Sequence, residues 1–165
     1  MSKLTAAVLT LSDKGSRGER EDLSGKHVIE LLGKLDMEVA HYEILPDEYE
    51  ILCGKLIELA DIKQVDFVFT TGGTGLSPRD ITPEATLFVA DRLVPGIGEA
   101  MRMESMKFTN RAMLSRAVAV VRKSTLIINL PGSEKGATEC FNIVAPVLGH
   151  AAELLSGVSA ECGRK

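Results

Sequence analysis

The sequence predicts an α/β protein: a single-domain, three-layer α/β/α sandwich around a mostly parallel sheet, spanning residues 1–165. Three observations carry this. Short apolar, β-rich segments alternate with amphipathic helical stretches along the whole chain. Polar loops leave the ends of the strand-like segments, where an open α/β sheet forms its ligand crevice. No repeat, linker or low-complexity segment interrupts the alternation, and 165 residues suffice for one substantial core.

The elements follow in order. Residues 5–11, TAAVLTL, form a short apolar run ended by a polar loop, a buried first strand. The loop over residues 12–22 holds two glycines and seven charges, so it is expected at the surface and mobile. Ser24 is placed to cap a helix whose apolar stripe is Val28, Leu31, Leu32 and Leu35. Residues 37–45 alternate apolar and polar, the period of a strand. Pro46 and Asp47 end it, with Asp47 a default cap for a helix running to about Lys63. Residues 65–70 are the third strand, and a glycine turn follows. Helices are expected over 82–92 and from Gly96 to about Met106; FTNRAMLSR fits no regular element. Residues 117–121 and 125–130 read as two further strands. A last helix covers about 133–156, with Pro146 expected to kink it.

Composition narrows the function. Net charge is −4, so no global field attracts nucleic acid or an anionic membrane. No run of 18 apolar residues could span a bilayer, and the N-terminal apolar stretch lacks a cleavage pattern. Cys53, Cys140 and Cys162 are scattered without metal-ligand spacing, which suits a reducing, cytoplasmic compartment.

Chemistry concentrates in TTGGTGLSPRDITPEAT. Gly72, Gly73 and Gly75 permit positive φ and close approach of backbone N–H groups to an anion, and a helix start at Thr82 adds further donors. A tight strand-to-helix connection without ligand accounts for the same glycines. GxxxxGK[ST] and GxGxxG are both absent, which excludes a P-loop and argues against a dinucleotide fold. A carboxylate at Asp80, beside a phosphate site, points to an intervening Mg²⁺; pairing with Arg79 or the helix N-terminus is the alternative. Asp47 belongs to the same rim if the strands are parallel, and two carboxylates flanking phosphates can hold a metal. Ser115 has no triad partners nearby, and GxSxG is absent.

Taken together, VLTLSD, LPDE, TTGGTGLSPRDITPEAT, AMLSR and STLIINLPG resemble, in order and over nearly the whole chain, the molybdenum-cofactor biosynthesis family of the MogA/MoaB type, to which domains of gephyrin and of the plant cofactor protein also belong. The resemblance implies molybdopterin adenylyltransferase activity: ATP and molybdopterin give adenylylated molybdopterin and pyrophosphate, with Mg²⁺, ahead of molybdate insertion by a separate protein. It implies that Asp47 and Asp80 are the essential carboxylates, also serving the metal, and that Ser115 acts in adenylyl transfer. Thr71, Gly72, Gly73, Thr74 and Gly75 correspond to the phosphate-holding turn, and Ser12, Asp13, Pro131 and Gly132 to segments lining the pocket. A homotrimer is implied as well. A MoaB-like protein that binds or carries molybdopterin without adenylylating it shares most of these motifs. This chain departs from many relatives after NLPG, reading Ser133-Glu134-Lys135-Gly136 where they have an Asn- or Gln-Pro segment.

Overall fold

The computed structural model describes residues 3–157. Its centre is one six-stranded sheet in the order β2-β1-β3-β6-β5-β4. The strands are β1 (Thr5–Leu11), β2 (Glu38–Leu45), β3 (Phe67–Thr71), β4 (Arg92–Leu93), β5 (Ala119–Arg122) and β6 (Thr125–Leu130). β2, β1, β3 and β6 run parallel, whereas β5 is antiparallel to both β6 and β4. The antiparallel step has a local cause: Lys123 adopts φ +50, turning the chain straight back from β5 into β6.

Alternation along the strands divides the core into two layers. Ala6, Val8, Phe67, Phe69, Ile128 and Leu130 face one layer. There they meet α2 (Leu23–Lys34), α5 (Pro95–Ser105) and α6 (Glu134–Leu155). Ala7, Leu9, Val68, Val120 and Ile127 face the other, against α3 (Tyr49–Ile57) and α4 (Thr82–Phe88). β3 and β6 are buried along their whole length, as central parallel strands covered on both faces must be. Asn129, fully buried on β6, fastens the layers: its amide donates to the Thr70 and Thr86 hydroxyls, and its carbonyl accepts from Val118 N–H.

Several boundaries differ from the sequence reading. The cap of α2 is Asp22, which accepts from Gly25 N–H, so Ser24 lies inside the helix. Asp47 does not cap α3: the chain enters that helix at Glu48 with no side-chain cap, and α3 widens into a π turn over Glu58–Ile62. α4 stops at Phe88, because residues 92–93 pair with β5 as an edge strand. FTNRAMLSR contains a 3₁₀ turn, Asn110–Leu114, and α6 continues through Pro146. The 12–22 loop is partly structured: α1 (Asp13–Ser16) forms a single turn capped by Ser12. Cys53 and Cys140 are buried free thiols, and Cys162 lies outside the described residues.

Candidate active site

The parallel strands deliver their loops to one rim, as the sequence requires. A cavity of about 720 Å³ opens there, taking Ser12 and Asp13 from the end of β1, Asp47 from β2, Thr71–Gly73 from β3, Asp80 beyond the turn, and Gly132 from β6. Thr74, Gly75, Ser115 and Pro131 instead line a neighbouring cavity of about 310 Å³, and Ser133 borders both. The structure therefore brings Asp47 and Asp80 together but sets Ser115 on the far side of the glycine turn.

The turn itself is built for backbone contact. Gly72 and Gly73 have φ +91 and +66, and a Cβ on either would lie 2.6 Å from Leu11 O or 2.3 Å from Thr82 Oγ1. A Cβ on Gly75 would meet Asp80 Oδ2 at 2.9 Å. The amides of Gly73, Thr74, Gly75 and Leu76 pair with no acceptor among the described residues, whereas Gly72 N–H is held by Leu130 O. Consecutive unpaired N–H groups of this kind form an anion-binding concavity.

The carboxylates around it are tied to one another. Asp13 N–H donates to Asp47 Oδ2 and Asp47 N–H to Asp13 Oδ1, each at 3.0 Å. Arg79 closes this pair from outside, donating to both Asp13 oxygens and to Glu48. Its hydrogen bonds, and then the Asp47 amide, pull the Asp13 carboxyl below the usual range. Burial pushes the Asp47 carboxyl up, and the charges of Asp13 and Asp80 add to this, outweighing the Asp13 amide and Arg79. Asp80 Oδ2 also accepts Ser77 N–H at 2.9 Å, so the same residue closes the SPRD turn.

Asp47 and Asp80 thus present two carboxylates beside the amide concavity. Among the described residues no group of three or more His, Cys, Asp or Glu side chains could hold a metal unaided. This donor set fits Mg²⁺, which is commonly bound by one or two carboxylates plus substrate phosphates. None of the histidines lines either cavity; His27 and His41 pair with Glu134 and Glu43.

Sequence reasoning missed Asp22 and Arg116, and it saw Thr82 only as a helix start. Asp22, 7% exposed, underlies the larger cavity and accepts from the Thr10 and Tyr42 hydroxyls, each at 2.6 Å. Burial, then this carboxylate, raises the Tyr42 pKa. The 71–76 turn is held from behind by Arg116 and Thr82, through bonds to its carbonyls. The one signal for Arg116 was its place directly after Ser115.

A doubly wound α/β sandwich with unpaired amides and paired carboxylates at its strand ends defines the class: a binder of phosphate-bearing ligands. Residues 7–150 match the family described as the probable molybdopterin binding domain, and the chain belongs to that family. It is 45% identical over 159 residues to the molybdopterin adenylyltransferase of Helicobacter pylori strain J99, covering 95% of this chain and 90% of that one. It is 41% identical over 152 residues to the Escherichia coli K12 protein of the same name, covering 91% and 78%. The crystal structure of the molybdopterin biosynthesis enzyme MoaB from Thermus thermophilus superposes with a TM-score of 0.88 at 49% identity, covering 93% of this chain and 97% of that one. The tungsten cofactor synthesizing protein MoaB from Pyrococcus furiosus gives 0.85 at 34%, covering 94% and 98%. The MogA/MoaB resemblance read from the five motifs is borne out.

Proposed function

We propose that this chain is a molybdopterin adenylyltransferase, acting as one molybdopterin-binding domain over residues 1–165. A terminal phosphate oxygen of molybdopterin bonds to the α-phosphorus of ATP. The bond from that phosphorus to the bridging β-phosphate oxygen breaks, and pyrophosphate leaves. The observation that carries this is the run of unpaired amides at residues 73–76 beside Asp47 and Asp80, in a chain 45% identical to the H. pylori enzyme.

Positioning and charge neutralisation supply most of the catalysis in such a transfer. The amides of the glycine turn hold phosphate oxygens. Thr71 ends β3 in the wall of the larger cavity, where its buried hydroxyl is committed to Thr10 and so supports the turn from below. Asp47 and Asp80 would hold Mg²⁺, which when bound neutralises phosphate charge. Ser12, Asp13 and Gly132 shape the larger cavity, and Pro131 the smaller. Ser115 donates a hydrogen bond to the transferring group from the smaller cavity. The two cavities meet at the glycine turn and Ser133, so two substrates can present phosphates to one set of amides. A phosphate nucleophile is already ionised at neutral pH, so no general base is needed.

The same reading includes a cytoplasmic homotrimer that hands its product to a separate molybdate-insertion protein. Exposed Leu93, Met103, Phe108, Met113 and Leu114, on β4, on α5 and in the stretch after it, are the side chains that self-association would cover. No helix among the described residues is long and apolar enough to cross a membrane.

A carrier that binds molybdopterin without adenylylating it is the second reading, since the matched family is described by binding alone, as the probable molybdopterin binding domain. Mixing the protein with ATP, Mg²⁺ and molybdopterin separates the two: release of pyrophosphate identifies the enzyme, and its absence the carrier. Asp80→Asn keeps an acceptor for Ser77 N–H but removes the charge. It is expected to lower turnover about 10²–10³-fold, and wild-type turnover in the folded variant would remove Asp80 from the mechanism.

A further inference from the structure

We infer that Arg116 is a positioning residue for the anion cradle: it fixes the direction in which the amides of the glycine turn point, and it registers Ser115 against them. The inference rests on the adenylyl-transfer reading for the identity of the anion, a nucleoside triphosphate.

A trans peptide unit holds its C=O and N–H antiparallel, so anchoring a carbonyl aims the following amide the opposite way. Two residues anchor the turn. Thr82 takes the first two carbonyls, through Oγ1 to Gly72 O at 2.9 Å and N–H to Gly73 O at 3.1 Å. Thr82 is fully buried, so the amides of Gly73 and Thr74 are turned away from the interior. Arg116 takes the next two and, further along the loop, that of Asp80. Its own N–H donates to Thr74 O at 3.0 Å, Nε to Gly75 O at 2.7 Å and Nη2 to Asp80 O at 2.7 Å. These bonds direct the amides of Gly75, Leu76 and Ile81 away from Arg116.

The chemistry calls for a guanidinium. Gly75 O and Asp80 O belong to separate stretches of the loop, and Nη1 pairs with the Glu84 carboxylate as well. A planar fork with donors on three nitrogens reaches all of them at once, whereas an ammonium on a flexible stem is a single point. Arg116 also places a positive charge behind amides that face an anion. Because Ser115 is the preceding residue, the distance from its hydroxyl to the cradle is set by one peptide unit and this fork. Arg116 therefore acts through other groups and touches no reacting atom.

The test compares R116M, R116A, R116K and E84Q with wild type in three measurements: ATP–Mg²⁺ binding by calorimetry without molybdopterin, kcat and KM for adenylylation, and thermal unfolding. R116M is expected to weaken ATP binding about tenfold and lower kcat about 10²-fold while the protein stays folded. R116K should recover only a minor part of the loss, and added guanidinium ion should partly restore R116A, whose truncation leaves the space the ion needs, but leave R116K unchanged. E84Q, which keeps both carbonyl contacts, should stay within about threefold of wild type. R116M within about twofold of wild type in both binding and kcat overturns the inference. So does a loss that only follows the unfolded fraction, that guanidinium does not restore in R116A, or that E84Q reproduces. A wild-type chain that binds ATP but releases no pyrophosphate defeats the proposed function alone; loss of that binding in R116M would then still uphold the role of Arg116. A wild-type chain that binds no ATP defeats both.

Discussion

Gly73→Ala is the substitution whose cost can be worked most directly from the structure. Gly73 has φ +66, a region that costs an L-residue about 1–2 kcal/mol. The new Cβ would also stand 2.3 Å from Thr82 Oγ1. Thr82 is completely buried, so its hydroxyl cannot move into solvent, and rotating it away breaks the bond to Gly72 O. A buried carbonyl left without a donor costs a further 1–3 kcal/mol or so. The sum is about 2–5 kcal/mol, a large share of the roughly 5–15 kcal/mol that holds a domain of this kind together. Urea unfolding followed by circular dichroism measures it, with Gly54→Ala as the control. Gly54 lies in the exposed interior of α3, and a Cβ there would have nothing within 4 Å, so alanine should stabilise by about 0.5–1 kcal/mol. If Gly73→Ala lost less than about 1 kcal/mol and still released pyrophosphate at the wild-type rate, the close-packed cradle would be refuted.

The remaining predictions concern charge, transfer and assembly. Asp47→Asn should make the protein more stable at pH 7 while lowering activity. The folded-state pKa of Asp47 is raised, so its ionisation opposes folding as pH climbs through that value; the variant's advantage should disappear below the ordinary carboxylate pKa of 3.8. Paired unfolding curves at pH 3 and 7 would show this, and equal wild-type and variant stabilities at both would contradict it. Ser115→Ala should lower kcat about 10²-fold with molybdopterin binding largely kept, as read by steady-state pyrophosphate release. Unchanged turnover would leave Ser115 as a lining residue. In light scattering the wild type should have the mass of three chains, and Phe108→Asp with Met113→Asp should reduce it to one. A wild-type monomer would rule out the trimer.

What the sequence made legible followed from local rules. β1, β3 and β6 were plain because central parallel strands need unbroken apolar runs, and β1 and β6 fall on the predicted residues. β4 was invisible because two residues carry no periodicity, and its pairing with Val120 and Val121 is a tertiary fact. The α2 cap shifted because Asp22 and Ser24 are both good capping types, and only the Thr10 and Tyr42 hydroxyls favour the first. The rim carboxylates were legible from loop placement. The division into two cavities was not, since Gly73 and Gly75 stand two residues apart yet line different ones. Arg116 was missed for the same reason: Asp80 precedes it by 36 residues, and the contact goes to a backbone carbonyl. Sequence spacing carries no record of which way a peptide unit faces.

The contact between Gly72 and Gly132 reaches beyond local packing. A Cβ on Gly132 would stand 3.1 Å from Gly72 Cα, and Gly72 N–H is bonded to Leu130 O, so the exits of β3 and β6 are welded backbone to backbone. That wall of the site cannot breathe without tearing the two central strands apart. The opposite bank carries no such strand-to-strand weld: residues 17–21 are exposed, and the ion pairs of Arg17 and Lys26 reach only as far as Glu19 and Glu21. The site therefore has one bank whose shape is inseparable from the sheet and one whose side chains can be exchanged without disturbing a strand. Changes meant to alter ligand range belong on the second.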